Sequence, residues 1–157
     1  LAPEVLDALA AARVADHVLV EADGSAGRPL KAHLPHEPVV SAHAGLVIAV
    51  VGAGCLGAPM DDAHVHRAAL LRERLGRPAE ATVTAADVAD ILLHPQGWFE
   101  RVAAGSEVIV LVNQADTPAR LAAAREIAAA LRERDRAGRL ARIVVGDVRR
   151  GSFVIAG

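Results

Sequence analysis

Glu107-Val-Ile-Val-Leu-Val-Asn113-Gln-Ala-Asp-Thr-Pro118 runs from a solid aliphatic stretch through a polar turn into a helix start. Glu107–Val112 is nearly all Val, Ile and Leu and does not alternate polar with apolar. That is the pattern of a parallel strand buried on both faces. Thr117 supplies an N-cap oxygen, and Pro118 fits the first helical position, where its missing N–H has no intrahelical partner to lose. The spacing therefore predicts a helix over Pro118–Arg134.

Three more aliphatic runs with glycine or polar punctuation lie outside this unit: His17–Glu21, Leu46–Val51 and Arg142–Val145. Helical stretches fall between and before them at Ala2–Val14, Asp61–Leu75 and Ala85–Leu93. The last follows Thr84, with Asp87 three residues on in the manner of an N-terminal cap. The tail Gly151–Gly157 has room for a short edge strand. Strands alternating with helices predict a single α/β domain over residues 1–157, three-layer αβα with a mostly parallel sheet. Gly76–Ala81 is the expected hinge. Ligands of such sheets bind outside the carboxyl ends of the strands. Three loops are singled out by that rule: Glu21–Lys31, Gly52–Asp62 and Asn113–Pro118.

Composition narrows the function classes. The chain has 157 residues, of which 53% are hydrophobic, enough to build a core and too many for a disordered segment. One Trp, two Phe and no Tyr leave no stacking platform for single-stranded nucleic acid, and a net charge of −2 with intermixed signs offers no basic face for a duplex. No nucleic-acid partner is expected. Cys55 is the only cysteine, so no intrachain disulfide forms and no thiolate metal cluster is expected. The longest apolar run, Gly45–Gly54, is too short to span a bilayer, and no signal-peptide pattern opens the chain. The expected location is the cytoplasm, without a membrane partner.

Val18-Leu-Val-Glu-Ala-Asp-Gly-Ser-Ala-Gly-Arg-Pro-Leu-Lys31 carries the densest chemistry. Glu21 and Asp23 stand where a strand end presents carboxylates to Mg²⁺ in phosphate-transferring enzymes, and they are the candidate catalytic pair, with Asp23 as the metal ligand. Gly24 and Gly27 permit a tight turn with exposed amides for phosphate, while Arg28 and Lys31 add positive charge. An ordinary surface turn would share the glycine and aspartate chemistry.

Gly52-Ala-Gly54-Cys-Leu-Gly57 mimics a dinucleotide fingerprint. Pro59, Asp61 and Asp62 push the next helix beyond the third glycine, and no strand ending in an acid follows about twenty residues on, which disfavours a NAD-dependent oxidoreductase. Asn113-Gln-Ala-Asp116 has the spacing of a guanine-reading loop, in which the carboxylate accepts from base N–H groups that adenine lacks. Gln114 stands in place of the usual Lys. The alternative is plain loop chemistry before a capped helix. Among the seven histidines, His64 and His66 are two apart on a predicted helix and cannot chelate as an i, i+4 pair would. His33, His36 and Glu37 share a proline-bracketed loop near the acidic turn.

Together these stretches resemble the YqeC family, whose members are described as accessory proteins of selenium-dependent hydroxylases. The likeness rests on Val20-Glu-Ala-Asp-Gly24, Gly27-Arg-Pro-Leu-Lys-Ala32, His36-Glu-Pro-Val-Val40, the turn from Gly52 to Gly57, Val65-His-Arg67, Thr84 and Leu111-Val-Asn-Gln-Ala-Asp116. The resemblance implies a P-loop NTPase-like fold, Mg²⁺ with GTP or ATP, and a partner among molybdenum hydroxylases or their maturation proteins. His36, Glu37, His66, Arg67 and Arg28 would line the site. The family's Gly-Lys-Thr phosphate loop is absent here, and the chain opens at Leu1. The expectation is that the opening strand, phosphate loop and first helix belong to a preceding segment. Three functions follow: a nucleotide-binding accessory protein that is at most a slow Mg-dependent NTPase, a non-catalytic binding module, and, least favoured, the oxidoreductase.

Overall fold

The computed structural model describes residues 3–13 and 15–156. The outermost ends of the predicted first helix, Ala2 and Val14, and of the tail, Gly157, lie outside the described residues. Helix α1 spans Pro3–Ala12. A two-residue strand β1, Leu30–Lys31, pairs in parallel with β3, Val65–His66. The main sheet contains β2 (Leu46–Gly52), β4 (Glu107–Asn113), β5 (Arg142–Asp147) and β6 (Ser152–Ile155) in the spatial order β2-β4-β5-β6. The first two pairings are parallel and the last is antiparallel. Mixed α/β architecture with a largely parallel sheet is therefore what the sequence folds into.

Helices α2 (Ala68–Leu75), α3 (Ala85–Leu92) and α4 (Pro118–Arg134) bury their apolar stripes on one face of that sheet. In α4 the buried residues are Ala124, Ile127, Ala128 and Leu131, spaced three, four and seven apart as one helical face requires. They meet Val110, Val112, Ile143 and Val145 in the principal core. Each fully buried Leu or Ile contributes about 1.5–3 kcal/mol relative to exposure. Thr84 caps α3 reciprocally: its hydroxyl accepts from the Asp87 N–H, and the Asp87 carboxylate accepts from the Thr84 N–H. Thr117 accepts from the Arg120 N–H at the start of α4, with Pro118 at N1, as its sequence dictates. A smaller core forms from Trp98, Phe99, Val102 and Val108, with the Arg139 guanidinium 4.3 Å over the Phe99 ring.

Three expectations need correction. His17–Glu21 forms no strand: the segment carries no regular structure and its side chains are exposed, Leu19 at 97%. A solid aliphatic run becomes a buried strand only if strands flank it, and none among the described residues does. The predicted helix Asp61–Leu75 begins at Ala68, because Val65 and His66 are drawn into pairing with β1, while the Asp62 carboxylate accepts from the Ala68 N–H at the helix start. The strands are not buried on both faces either. Along β2, Leu46, Ile48 and Val50 are exposed, and the helices that pack on the sheet core lie on its other side.

Gly76–Ala81 is a left-handed helix cap at Gly76 followed by a turn, after which Thr82 bridges antiparallel to Pro59 and Met60 donates its N–H to the Ala81 carbonyl. No described helix is long and apolar enough to cross a membrane.

Candidate functional site

The short β1–β3 pairing assembles the site. It places Lys31 beside His66 in register, and the Ala32 N–H donates to the His66 carbonyl at 3.1 Å. Arg67 follows with φ 62°, in the left-handed region that a residue with a Cβ adopts at a cost of about 1–2 kcal/mol. What holds it there is its side chain. Arg67 donates to both oxygens of Glu37, at 2.5 and 2.8 Å, and to the Ala32 carbonyl at 3.2 Å. This two-pronged geometry matches a guanidinium to a carboxylate.

Lys31 is the centre of the cluster. Its side chain is only 7% exposed, and its ammonium bonds to Asp23, to the Gly24 carbonyl at 2.9 Å and to Glu37 at 3.1 Å. A buried ammonium requires this company, because desolvating an unpaired charge is costly. The Arg67 hydrogen bonds, with help from Lys31, hold the Glu37 carboxyl at about 2 instead of 4.5. His33 adds its Nε2 3.1 Å from the second oxygen of Asp23. No N–H is aimed at that oxygen, which is buried without a hydrogen-bond partner among the described residues. Burial, opposed by the Asp23 charge, lowers the His33 pKa and favours the neutral ring. Desolvation likewise lowers His66, with the neighbouring Arg67 and Lys31 charges adding to it.

The glycine turn lies beside this cluster. Ser25 and Arg28 close it, the Arg28 N–H donating to the Ser25 carbonyl at 3.0 Å and the Ser25 hydroxyl to the Arg28 carbonyl at 2.7 Å. Gly27 has φ 77° and Gly24 is exposed, with open space where a side chain would stand. Arg28 reaches across to the Asp62 carbonyl at 3.0 Å. Glu21 is exposed and lines a groove against α1 with Leu6 and Leu9, and His36 is exposed at the loop tip. The structure thus joins Asp23, Gly24, Lys31, Glu37 and Arg67, with His66 adjoining. It does not bring Glu21 or His36 into that network.

The second locus is the end of β4. Asn113 accepts from the Val148 N–H at 3.0 Å, which ties β4 to the turn after β5. Gln114 has φ 65°. Asp116, just before the Thr117 cap, pairs at 2.9 Å with Arg120 on the first turn of α4, and that hydrogen bond lowers its pKa. Gly52, in register with Asn113, links the two loci. A Cβ on it would stand 2.5 Å from Gln114 Oε1 and 2.8 Å from the Pro29 ring, and its N–H donates to the Pro29 carbonyl. Only glycine lets both loops close on the carboxyl end of β2. The residues after it, Ala53–Cys55, form a 3-10 turn and not the helix a dinucleotide fingerprint opens. Burial raises the Cys55 thiol to about 12, which leaves it no nucleophilic role.

Among the described residues no three His, Cys, Asp or Glu side chains are placed to hold a metal ion by themselves. Mg²⁺ in phosphate sites takes only one or two carboxylates and completes its shell with water and substrate oxygens. The unpartnered oxygen of Asp23 fits that role. Sequence reasoning named His33 only as a member of the loop and Glu37 and Arg67 as site-lining residues; that His33 meets Asp23 and Arg67 meets Glu37 had no signal in the sequence beyond the recurrence of charge between Pro29 and Pro38.

The profile of the YqeC protein family matches residues 1–69, the stretch that carries this cluster. A curated relative, the uncharacterized protein YqeC of Escherichia coli (strain K12), is 38% identical over 112 residues. The chain belongs to the YqeC family. That alignment covers 71% of this chain and 44% of the relative, so the matched part of the chain spans less than half the length of its relative. No solved structure matches it.

Proposed function

We propose that this YqeC-family protein binds GTP or ATP with Mg²⁺ and acts in the cytoplasm as an accessory factor in the maturation of selenium-dependent molybdenum hydroxylases. One observation carries the reading: a buried lysine and an aspartate with an unpartnered oxygen sit beside an exposed glycine turn. Asp23 would hold the metal, directly or through water, and Lys31 with the Gly24 and Gly27 amides would meet the phosphates. Asn113 and Asp116 would address the base. The fold that goes with this role is a three-layer, P-loop NTPase-like domain whose phosphate loop lies in the longer family chain. Any hydrolysis would be slow and would rest on positioning and charge stabilisation.

Calorimetry on the full-length protein tests this. GTP or ATP with Mg²⁺ should bind, and Asp116→Ala should weaken GTP more than ATP. Silence with both nucleotides would remove the proposal; equal losses would remove the guanine assignment alone. A second reading, a non-catalytic module that docks a hydroxylase or a maturation factor, is favoured by the engagement of Asn113 with Val148 and of Asp116 with Arg120, which leaves the base-reading groups occupied.

A further inference from the structure

His33 stands beside the Asp23 carboxylate without bonding to it. Its Nε2 lies 3.1 Å from Asp23 Oδ2, with the two side chains 17% and 18% exposed. No N–H points along that line, and Oδ2 is buried without a partner among the described residues. A buried carboxylate oxygen is seldom left so, because its desolvation then goes uncompensated. Lys31 takes the other oxygen, which leaves Oδ2 alone to receive a ligand.

Two donor atoms lying side by side at this distance have the spacing of neighbouring ligands on one cation. With metal–ligand bonds of about 2.1 Å, ligands at a right angle stand about 3.0 Å apart, and tetrahedral neighbours about 3.4 Å. The observed 3.1 Å suits a six-coordinate ion. We propose that His33 is a second ligand of the cation held by Asp23, so that the site prefers a divalent transition ion to Mg²⁺. A ring nitrogen is a donor that Co²⁺ and Ni²⁺ accept readily, whereas Mg²⁺ takes oxygen. Lys31 and Arg67 already match Asp23 and Glu37 in charge, so the cluster has no surplus anion for a dication. The remaining positions on the ion therefore suit water and the oxygens of an anionic ligand such as a phosphate. This assignment rests on Asp23 as the metal ligand of the proposed nucleotide site, and it needs no nucleotide to be bound.

The test is calorimetric titration of the nucleotide-free, full-length protein with Co²⁺ and, separately, Mg²⁺, with proton NMR of the Co²⁺-loaded form. The parent should bind Co²⁺ at least about tenfold more tightly than Mg²⁺ and show hyperfine-shifted imidazole resonances. His33→Gln keeps the shape and puts an amide where the ring nitrogen was. It should lose one set of those resonances and most of the preference, with Mg²⁺ affinity changed by less than about threefold. Ions held elsewhere on the longer chain appear equally in parent and variant and cancel. Circular dichroism identifies a variant that fails to fold, in which case His33→Asn decides. A folded variant that keeps the resonances and the preference would overturn the proposal and leave Asp23 with Mg²⁺ alone. Equal weakening of both ions would also overturn it, by giving His33 a merely structural role. So would a parent that binds no Co²⁺; the nucleotide reading is judged apart from this, by the calorimetry with Mg²⁺ and GTP or ATP.

Discussion

Two carboxylate–cation pairs at the carboxyl end of the strands look alike in sequence and differ in physics. Asp23 with Lys31 is nearly enclosed, the side chains 18% and 7% exposed, and the ammonium is shared with Glu37. Asp116 with Arg120 is an i, i+4 pair at the exposed start of α4, 31% and 48% exposed. Water solvates the second pair whether or not it forms. The first cannot lose one member without leaving charge stranded in a poorly solvated place. An ion pair placed so expensively in a loop points to function, whereas the helical pair needs no explanation beyond local geometry.

The largest expected effect follows from that contrast. Lys31→Ala strands Asp23 and Glu37 together and should destabilise the fold by about 3–5 kcal/mol in urea denaturation. A loss under about 1 kcal/mol would mean that the cluster is as well solvated as a surface pair. Glu37→Gln is subtler and shows in pH. Because Arg67 depresses the folded pKa to about 2, Glu37 contributes stability above pH 4.5 that is lost progressively as pH falls toward 2. The substitution should make the stability curve shallower across that window; an unchanged slope would break the assignment. The smallest effect belongs to Asp116→Ala, for which the urea midpoint should not move measurably. A clear shift there would erase the distinction between the two pairs.

The same contrast separates what the sequence made legible from what it hid. Helix Pro118–Arg134 was readable to the residue, because Thr117, Pro118 and the apolar spacing are all local signals. Leu46–Val51, Glu107–Val112 and the edge strand in the tail were readable for the same reason, the first two extending one residue further and the last falling within its predicted span. His17–Glu21 misled because a strand needs neighbours, and composition does not count them. Asp23 and Lys31 stood out as charge around the glycine turn, and Glu37 as an acid in the proline-bracketed loop that follows. Their network did not, since Arg67 lies thirty residues from Glu37 and meets it only after β1 and β3 pair, each two residues long and without a periodic signature.

Amide NMR of the full-length protein with Mg²⁺ and GTP or ATP addresses the nucleotide site most directly. Binding at the rim should shift the Gly24, Ser25, Gly27 and Lys31 resonances together on adding nucleotide, and Lys31→Met should abolish the response. Shifts confined to other surfaces, or a Lys31→Met variant that folds and responds like the parent, would contradict the account.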